Sequence, residues 1–310
     1  SFNTKLSFIN GVMKKALCLV VLIFSTFTYS QAPVNYSSIL ELLLNNNRIE
    51  ARKQFDKQFS KTKNTNIDLL LLDAYIDEEM GKMFFDESFL KSIEKLPNAS
   101  YYITPLMNES LVLNDIKAES HNALSYTKID FLSNSNAFKN LPIVQYRKGF
   151  YEWRRKMYEQ SKATYNNINT IKEWQFCGVF ESLNSSGLDV DYEPEHYAKN
   201  DKTFDANSNG FVGWYTPKNK SENPYYFFSN EAQYGRGIIY AQTFIESKEK
   251  KDYLLSFGSS HGIKIFLNDK EIYLNSDILK TNFDAYTIQV PLEKGVNRLV
   301  LKLEVGFFFF

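Results

Sequence analysis

The chain has 310 residues, 44% hydrophobic and 16% aromatic, with 36 basic against 36 acidic side chains. That excludes a disordered or collagen-like chain, supplies at least one sizeable core, and makes about two domains the expectation from length. Zero formal net charge offers no broad basic field to nucleic acid, and two cysteines are too few for a disulfide-stapled scaffold.

Met13-Lys14-Lys15 precedes the short apolar run from Ala16 to Phe24, the n- and h-regions of a secretory signal. Thr28 and Ser30 supply small residues at −3 and −1 of a cleavage before Gln31. The run is too short to span a bilayer, so residues 13–30 are expected to be a removed leader. The protein would be exported to periplasm, cell surface or medium, with no integral membrane segment in the mature chain. Cys18 lies early in the run, which argues against a lipid-bearing cysteine at the cleavage point. Met13 reads as the start, and residues 1–12 as upstream sequence translated in frame. Loss of residues 1–30 removes three lysines and no acid, leaving a net charge of −3. Cys177 would then be the only cysteine, expected as a small buried hydrophobe rather than a nucleophile.

From 36 to 172 apolar residues recur at helical spacing. Ile39, Leu40, Leu43 and Leu44 form one stripe, Ala51, Phe55 and Phe59 a second, and Leu69 to Leu72 with Tyr75 a third that Gly81 ends. Tyr146, Phe150, Trp153 and Met157 make a further face. Asn and Ser clusters at 64–66 and 133–136 separate the segments, so an array of α-hairpins is expected. The Arg154-Arg155-Lys156 run suggests an anionic partner, or, flanked by Glu152 and Glu159, a solvated helix face.

Near Trp174 the period changes from 3.6 to 2. Strands are expected at 174–180, 211–215, 238–245, 253–257, 263–267, 271–274, 286–292 and 299–305, with turns at Asn268-Asp269-Lys270 and Lys294-Gly295-Val296-Asn297. So many short strands in residues 173–305 indicate an antiparallel β-sandwich, and the whole chain an α+β protein of two domains. After Val305 the chain runs into Gly306 and four phenylalanines. Residues 306–310 read as a frame cut short, since a thymine run encodes consecutive Phe and only 7 of the 36 basic residues are Arg.

Two stretches carry a resemblance. Gly258-Ser259-Ser260-His261-Gly262-Ile263-Lys264-Ile265-Phe266-Leu267-Asn268-Asp269 and Leu292-Glu293-Lys294-Gly295-Val296-Asn297-Arg298-Leu299-Val300-Leu301-Lys302 resemble the turn–hairpin and closing strand of jelly-roll modules, galactose-binding-like and protective-antigen-type. Many of these are accessory carbohydrate-binding modules. Ala51-x-x-x-Phe55 and the helix after it resemble part of a tetratricopeptide repeat. The order leader, helical array, Trp174-x-x-x-Gly178-x-Phe180-Glu181 and sandwich resembles the N-terminal region of large secreted tetratricopeptide proteins with a transglutaminase-like, cysteine-peptidase-type domain downstream. The catalytic Cys-His-Asp of that domain has no matching residues in this chain.

Few residues carry site chemistry. Asp205-x-Asn207-x-Asn209-Gly210 matches the first half of a calcium loop, but Thr216 stands where its bidentate Glu belongs, so an Asx-Gly turn is the plainer reading. Asp189, Asp191, Glu193 and Glu195 could share a cation or form an acid–base pair, or make a solvated acidic loop. His121, His196 and His261 are isolated, with no second ligand at metal spacing; His261, in a turn, could touch a ligand at a loop rim. Trp214, Tyr215, Tyr225, Tyr226 and Tyr234 crowd the segment before Ile238 and could stack sugar rings. No nucleophile elbow, phosphate loop or dinucleotide fingerprint is present, and no cofactor is implied beyond calcium. The expected function is an exported, non-catalytic binding region whose sandwich takes a glycan or a partner protein domain. The alternative is an accessory fragment of a transglutaminase-like enzyme.

Overall fold

Asn66 has an extended backbone, and its side-chain oxygen accepts from the N–H groups of Asp68 (2.8 Å) and Leu69 (3.3 Å), so a helix begins at the next residue. The same helix ends where Gly81 takes φ +75°, its N–H on the Glu78 carbonyl and that of Lys82 on Asp77. The structure, a computed structural model, describes residues 35–82, 87–109, 123–182, 187–217, 223–226, 228, 237–277 and 282–305. The expected leader (13–30, with Cys18), the upstream segment 1–12, the tail 306–310 and His121 lie outside them.

The chain divides into two compact units, Ser1–Ala99 and Ser100–Phe310. In the first, α1 (Ser37–Leu44), α2 (Arg48–Phe59) and α3 (Ile67–Glu79) follow the expected stripes, and α4 (Glu87–Glu94) comes after them. Ile39, Leu40, Leu43, Ala51, Phe55, Leu69, Leu72 and Ile76 share one core; Leu44, one position beyond the buried arc of α1, is exposed. Arg52 ties α2 to α3 through Asp73 (2.6 Å) and Asp77 (2.6 Å), and Lys63 adds a second bond to Asp73 (2.7 Å).

Among the described residues, the second unit holds α5 (Ser100–Glu109), α6 (Ala123–Asn134), α7 (Pro142–Arg154) and α8 (Tyr158–Asn166), then nine strands. α7 and α8 approach closely because Gly149 leaves room for the Tyr165 ring, which a Cβ there would meet at 2.6 Å. Ser161 Oγ donates to the Gly149 carbonyl (2.7 Å) and Thr164 Oγ1 to Glu152 (2.6 Å). Helix gives way to strand between Asn166 and Gln175, near the change of period, but the compact units divide earlier, after Ala99. Tyr146 of α7 stacks on Phe283 (4.8 Å, 13°) and lies 5.5 Å from Tyr225, and Asn108 of α5 donates to the Phe283 carbonyl (2.5 Å). These helices and the strands therefore belong to one packed body.

The strands are β1 (Gln175–Glu181), β2 (Phe204–Asp205), β3 (Phe211–Val212), β4 (Gly237–Ser247), β5 (Lys251–Phe257), β6 (Ile263–Leu267), β7 (Lys270–Asn275), β8 (Tyr286–Leu292) and β9 (Gly295–Val305). The expected strand at 211–215 is shorter, with Tyr215 making a single bridge to Phe176. A five-stranded sheet runs β1-β4-β9-β6-β7, with β2-β3 and β5-β8 as separate ladders, and every pairing among these strands is antiparallel. Asn268 (φ 51°) and Asp269 (φ 65°) turn β6 into β7, both left-handed as a two-residue hairpin requires. One face of the large sheet packs Ile239, Ala241, Ile263, Ile265, Leu299 and Leu303 against Val290 and Leu292 of β8, with Leu255 and Phe257 of β5 at the margin. The other face is covered by residues 187–214: Leu188, Phe204, Ala206 and Trp214 lie on Tyr240, Phe266 and Val300. Burial on both faces explains why β4 reads as a nearly continuous apolar run. The protein is thus α+β with antiparallel sheet, and among the described residues no helix is long and apolar enough to cross a membrane.

Candidate functional site

Strict alternation in β9 puts Arg298, Val300 and Lys302 on the face that residues 187–214 cover. Two cations are thereby placed beneath a segment rich in acids. Lys302 is 1% exposed; its ammonium donates to Glu195 Oε1 (2.6 Å) and the Val190 carbonyl (2.5 Å). Glu195, 5% exposed, also accepts from the Tyr240 hydroxyl (2.7 Å). Arg298 donates to the carbonyls of Pro194 (2.6 Å) and Glu195 (2.8 Å), to Gln242 Oε1 (2.9 Å) and to Asp269 (2.9 Å). Gln242 continues the network to the Ala198 carbonyl (2.8 Å) and the Gln175 side chain (2.9 Å). The expected solvated acidic loop is therefore a strap, its backbone fixed from below by two buried cations.

Burial lowers the pKa of both Lys302 and Arg298, and the carboxylates of Glu195 and Asp269 oppose that shift. Burial, then the charge of Glu195, pushes the Tyr240 hydroxyl far above its ordinary range, so it stays a donor at neutral pH. Glu195 has its charge partner and hydroxyl donor on one oxygen, the arrangement of a structural ion pair rather than of a general base awaiting a proton.

The outer side of the strap is polar and exposed. His196 Nε2 lies 2.8 Å from Asp191, Lys202 pairs with Glu193 (2.6 Å) and covers the Tyr197 ring at 4.1 Å, and the Tyr197 hydroxyl donates to Asp201 (2.6 Å). Ligand atoms of Asp191, Glu195 and His196 lie within 4.8 Å of one another, the one such group among the described residues. The Lys302 ammonium at the same carboxylate supplies the positive charge an ion would bring.

Trp214 is buried, its indole N–H on the Tyr197 carbonyl (2.7 Å), and so braces the strap from inside. Tyr215 points the other way, edge-on to Phe176 at 6.1 Å. Tyr225 packs on Tyr146, and burial pushes its hydroxyl up to about 12; Tyr226 packs between Phe176 (4.8 Å) and Phe228 (4.7 Å). Tyr234 lies outside the described residues. Tyr215 and Tyr226 thus share Phe176, while Tyr225 packs on Tyr146 and Trp214 on the strap. His261 has Nδ1 2.8 Å from Ser260 Oγ, and burial lowers its pKa; the next residue, Gly262, abuts Leu188 at the start of the strap. Asp205, Asn207 and Asn209 form the β2–β3 turn: Asp205 accepts from the Asn207 N–H (2.9 Å) and Asn209 Nδ2 donates to the Val179 carbonyl (2.9 Å). Cys177 is buried, with its thiol pushed up to about 12.

Arg298 and Lys302 were legible only as scaffold positions of the closing strand. The signal for their role is the pairing of two facts: like charges at i and i+4 on a strand face, and the acidic run from 189 to 195. No protein-family model matches the chain, and no curated protein matches it. Among solved structures, part of the chain aligns with a β-glucosidase from Kluyveromyces marxianus in complex with glucose, at 13% identity and TM-score 0.26, covering 42% of this chain and 14% of that one. Another is a β-glucuronidase from Ruminococcus gnavus in complex with uronic isofagomine, at 17% identity and TM-score 0.23, covering 43% and 20%. The chain spans a fifth or less of those proteins, and at these scores the likeness carries no argument.

Proposed function

We propose that the chain is an exported, non-catalytic binding region in which residues 173–305 act as a jelly-roll-like module that takes a glycan and residues 36–172 as a tetratricopeptide-like helical array. The observation that carries this reading is the strap. Arg298 and Lys302 fix the carbonyls of Val190, Pro194 and Glu195 from below, so Asp191, His196 and Tyr197 stand on an ordered backbone. Carboxylate, imidazole and phenol groups held in place suit the paired hydroxyls of a sugar, because little side-chain freedom remains to be lost on binding. Asp269, exposed and held by Arg298, is a further acceptor on the same network. A binding role also fits the chemistry of the interior, where Cys177 is a buried thiol and Glu195 is neutralised by Lys302.

The test is a screen of the intact chain against neutral and acidic oligosaccharides, with hydrolase and acyl-transfer assays in parallel. Saturable binding that weakens about tenfold, roughly 1.4 kcal/mol, in both Asp191→Ala and Tyr197→Ala is expected, without turnover. A folded chain that binds no glycan, or that turns a substrate over, would contradict the reading.

A further inference from the structure

The apolar stripe of α7 does not stay in the core. Tyr146 is buried and Phe150 half-buried, but Trp153 is 52% and Met157 39% exposed, and Tyr158 at the start of α8 is 54% exposed. Lys156, left-handed at φ 63°, makes the turn between them. Phe150 and Trp153 lie nearly parallel, 24° apart at 6.5 Å. An amphipathic stripe normally ends where its cover ends; this one continues for a full turn into solvent.

Cations frame the exposed part. Arg154 lies over the Phe150 ring at 5.1 Å and Arg155 over Tyr126 at 4.0 Å, so both planar groups are already held by stacking. Residues 147–159 contain five cations and two acids, Glu152 and Glu159. Glu152 is committed to Thr164 (2.6 Å) and Lys148 (3.9 Å), within the α7–α8 pair.

We infer that this surface, centred on Trp153, Met157 and Tyr158 and bordered by Arg154 and Arg155, docks an acidic protein segment that carries an aromatic or aliphatic anchor. Charge complementarity fixes the sign of the partner. The residue types point to a protein partner: Trp, Tyr, Met and Arg are those enriched at protein interfaces. An anionic bilayer is the rival for any surface that mixes aromatic and basic groups. This site lies on the helices and is independent of the glycan reading of the strap.

The experiment uses the intact chain and three probes: a labelled peptide of alternating Asp and Glu with one central Trp, the same peptide with Lys in place of the acids, and vesicles of phosphatidylcholine with or without phosphatidylserine. Fluorescence anisotropy should show the acidic peptide bound in low salt and released as NaCl rises, with affinity lowered about tenfold in Trp153→Ala and in Arg154→Glu. Trp153 is largely exposed, so Trp153→Ala should keep the parent circular dichroism and Tm. The inference fails if the acidic peptide does not bind, if the Lys peptide binds equally, or if the folded Trp153→Ala variant binds unchanged. It also fails if phosphatidylserine vesicles capture the chain through Trp153, which would make the surface lipid-facing.

Discussion

Lys302 and Glu195 each gave up hydration on folding, and each recovers it from one short ion pair and one further hydrogen bond. Removing one partner leaves a charge without compensation, so Glu195→Ala should cost about 3–5 kcal/mol. Replacing both, as Glu195→Leu with Lys302→Met, should recover most of that loss, to within about 2 kcal/mol of the parent, because an apolar pair carries no desolvation penalty. Urea midpoints of the three proteins check both values. Asp284 is a second strained point: its φ is 47° and burial pushes its carboxyl from 3.8 up to about 6. Between those values the native state holds a proton that the unfolded chain has released, so stability falls as pH rises through this window. Asp284→Asn keeps a side chain that tolerates the left-handed backbone. It should gain about 1–2 kcal/mol at pH 7, allowing for solvent screening of a partly exposed group, and nothing at pH 4, as read from Tm at the two pH values. Asn268 and Asn297 were readable in advance as turn residues, and the structure joins them: Asn268 Nδ2 donates to Asn297 Oδ1 (2.9 Å). Their mutual bond could not be read, because it depends on the β6–β7 and β8–β9 turns meeting across the sheet.

At the scale of elements, alternation and turn chemistry made most of β4 to β9 legible, with Asn268-Asp269 and Gly295 marking two of the turns. Residues 187–214 were not legible as cover. Apart from Glu195, their charged side chains lie on the outer side, and the apolar ones that matter inward, Leu188, Phe204 and Trp214, follow no period. The α7–α8 stripe was visible as a helix face, but nothing local told which part of it would be covered. The β2–β3 turn belongs here too. Asp205 accepts from the Asn207 N–H with one oxygen and Asn209 donates its amide to the Val179 carbonyl, so both side chains have a role in holding the turn itself. Chelation with EDTA is accordingly expected to leave Tm within about 1 °C of its value in millimolar calcium, since a ligand absent from the native state shifts no equilibrium. A rise of several degrees with calcium would reinstate the loop.

For the whole molecule, what the strands hide is how much the helices from 100 to 166 depend on them. Phe283 is buried against Tyr146, and its carbonyl accepts from Asn108. Phe283→Ala should therefore cost about 3–5 kcal/mol, and far-ultraviolet ellipticity at helical and sheet wavelengths should fall in one coincident transition. Two separated transitions would mean that helices and sheet are coupled less than this packing implies. No spacing rule reaches across the 137 positions between Tyr146 and Phe283, which is why the change of period near Trp174 was readable and the division after Ala99 was not.

The most direct test of the central claim, that the strap presents a fixed glycan-binding surface, is a calorimetric titration of the intact chain with the tightest-binding oligosaccharide from the screen, repeated on Tyr197→Ala and on Trp153→Ala. A saturable exotherm that is weakened about tenfold by Tyr197→Ala and untouched by Trp153→Ala is the predicted result. Heat that is the same in Tyr197→Ala as in the parent, or no heat from a chain whose Tm shows it folded, would contradict it.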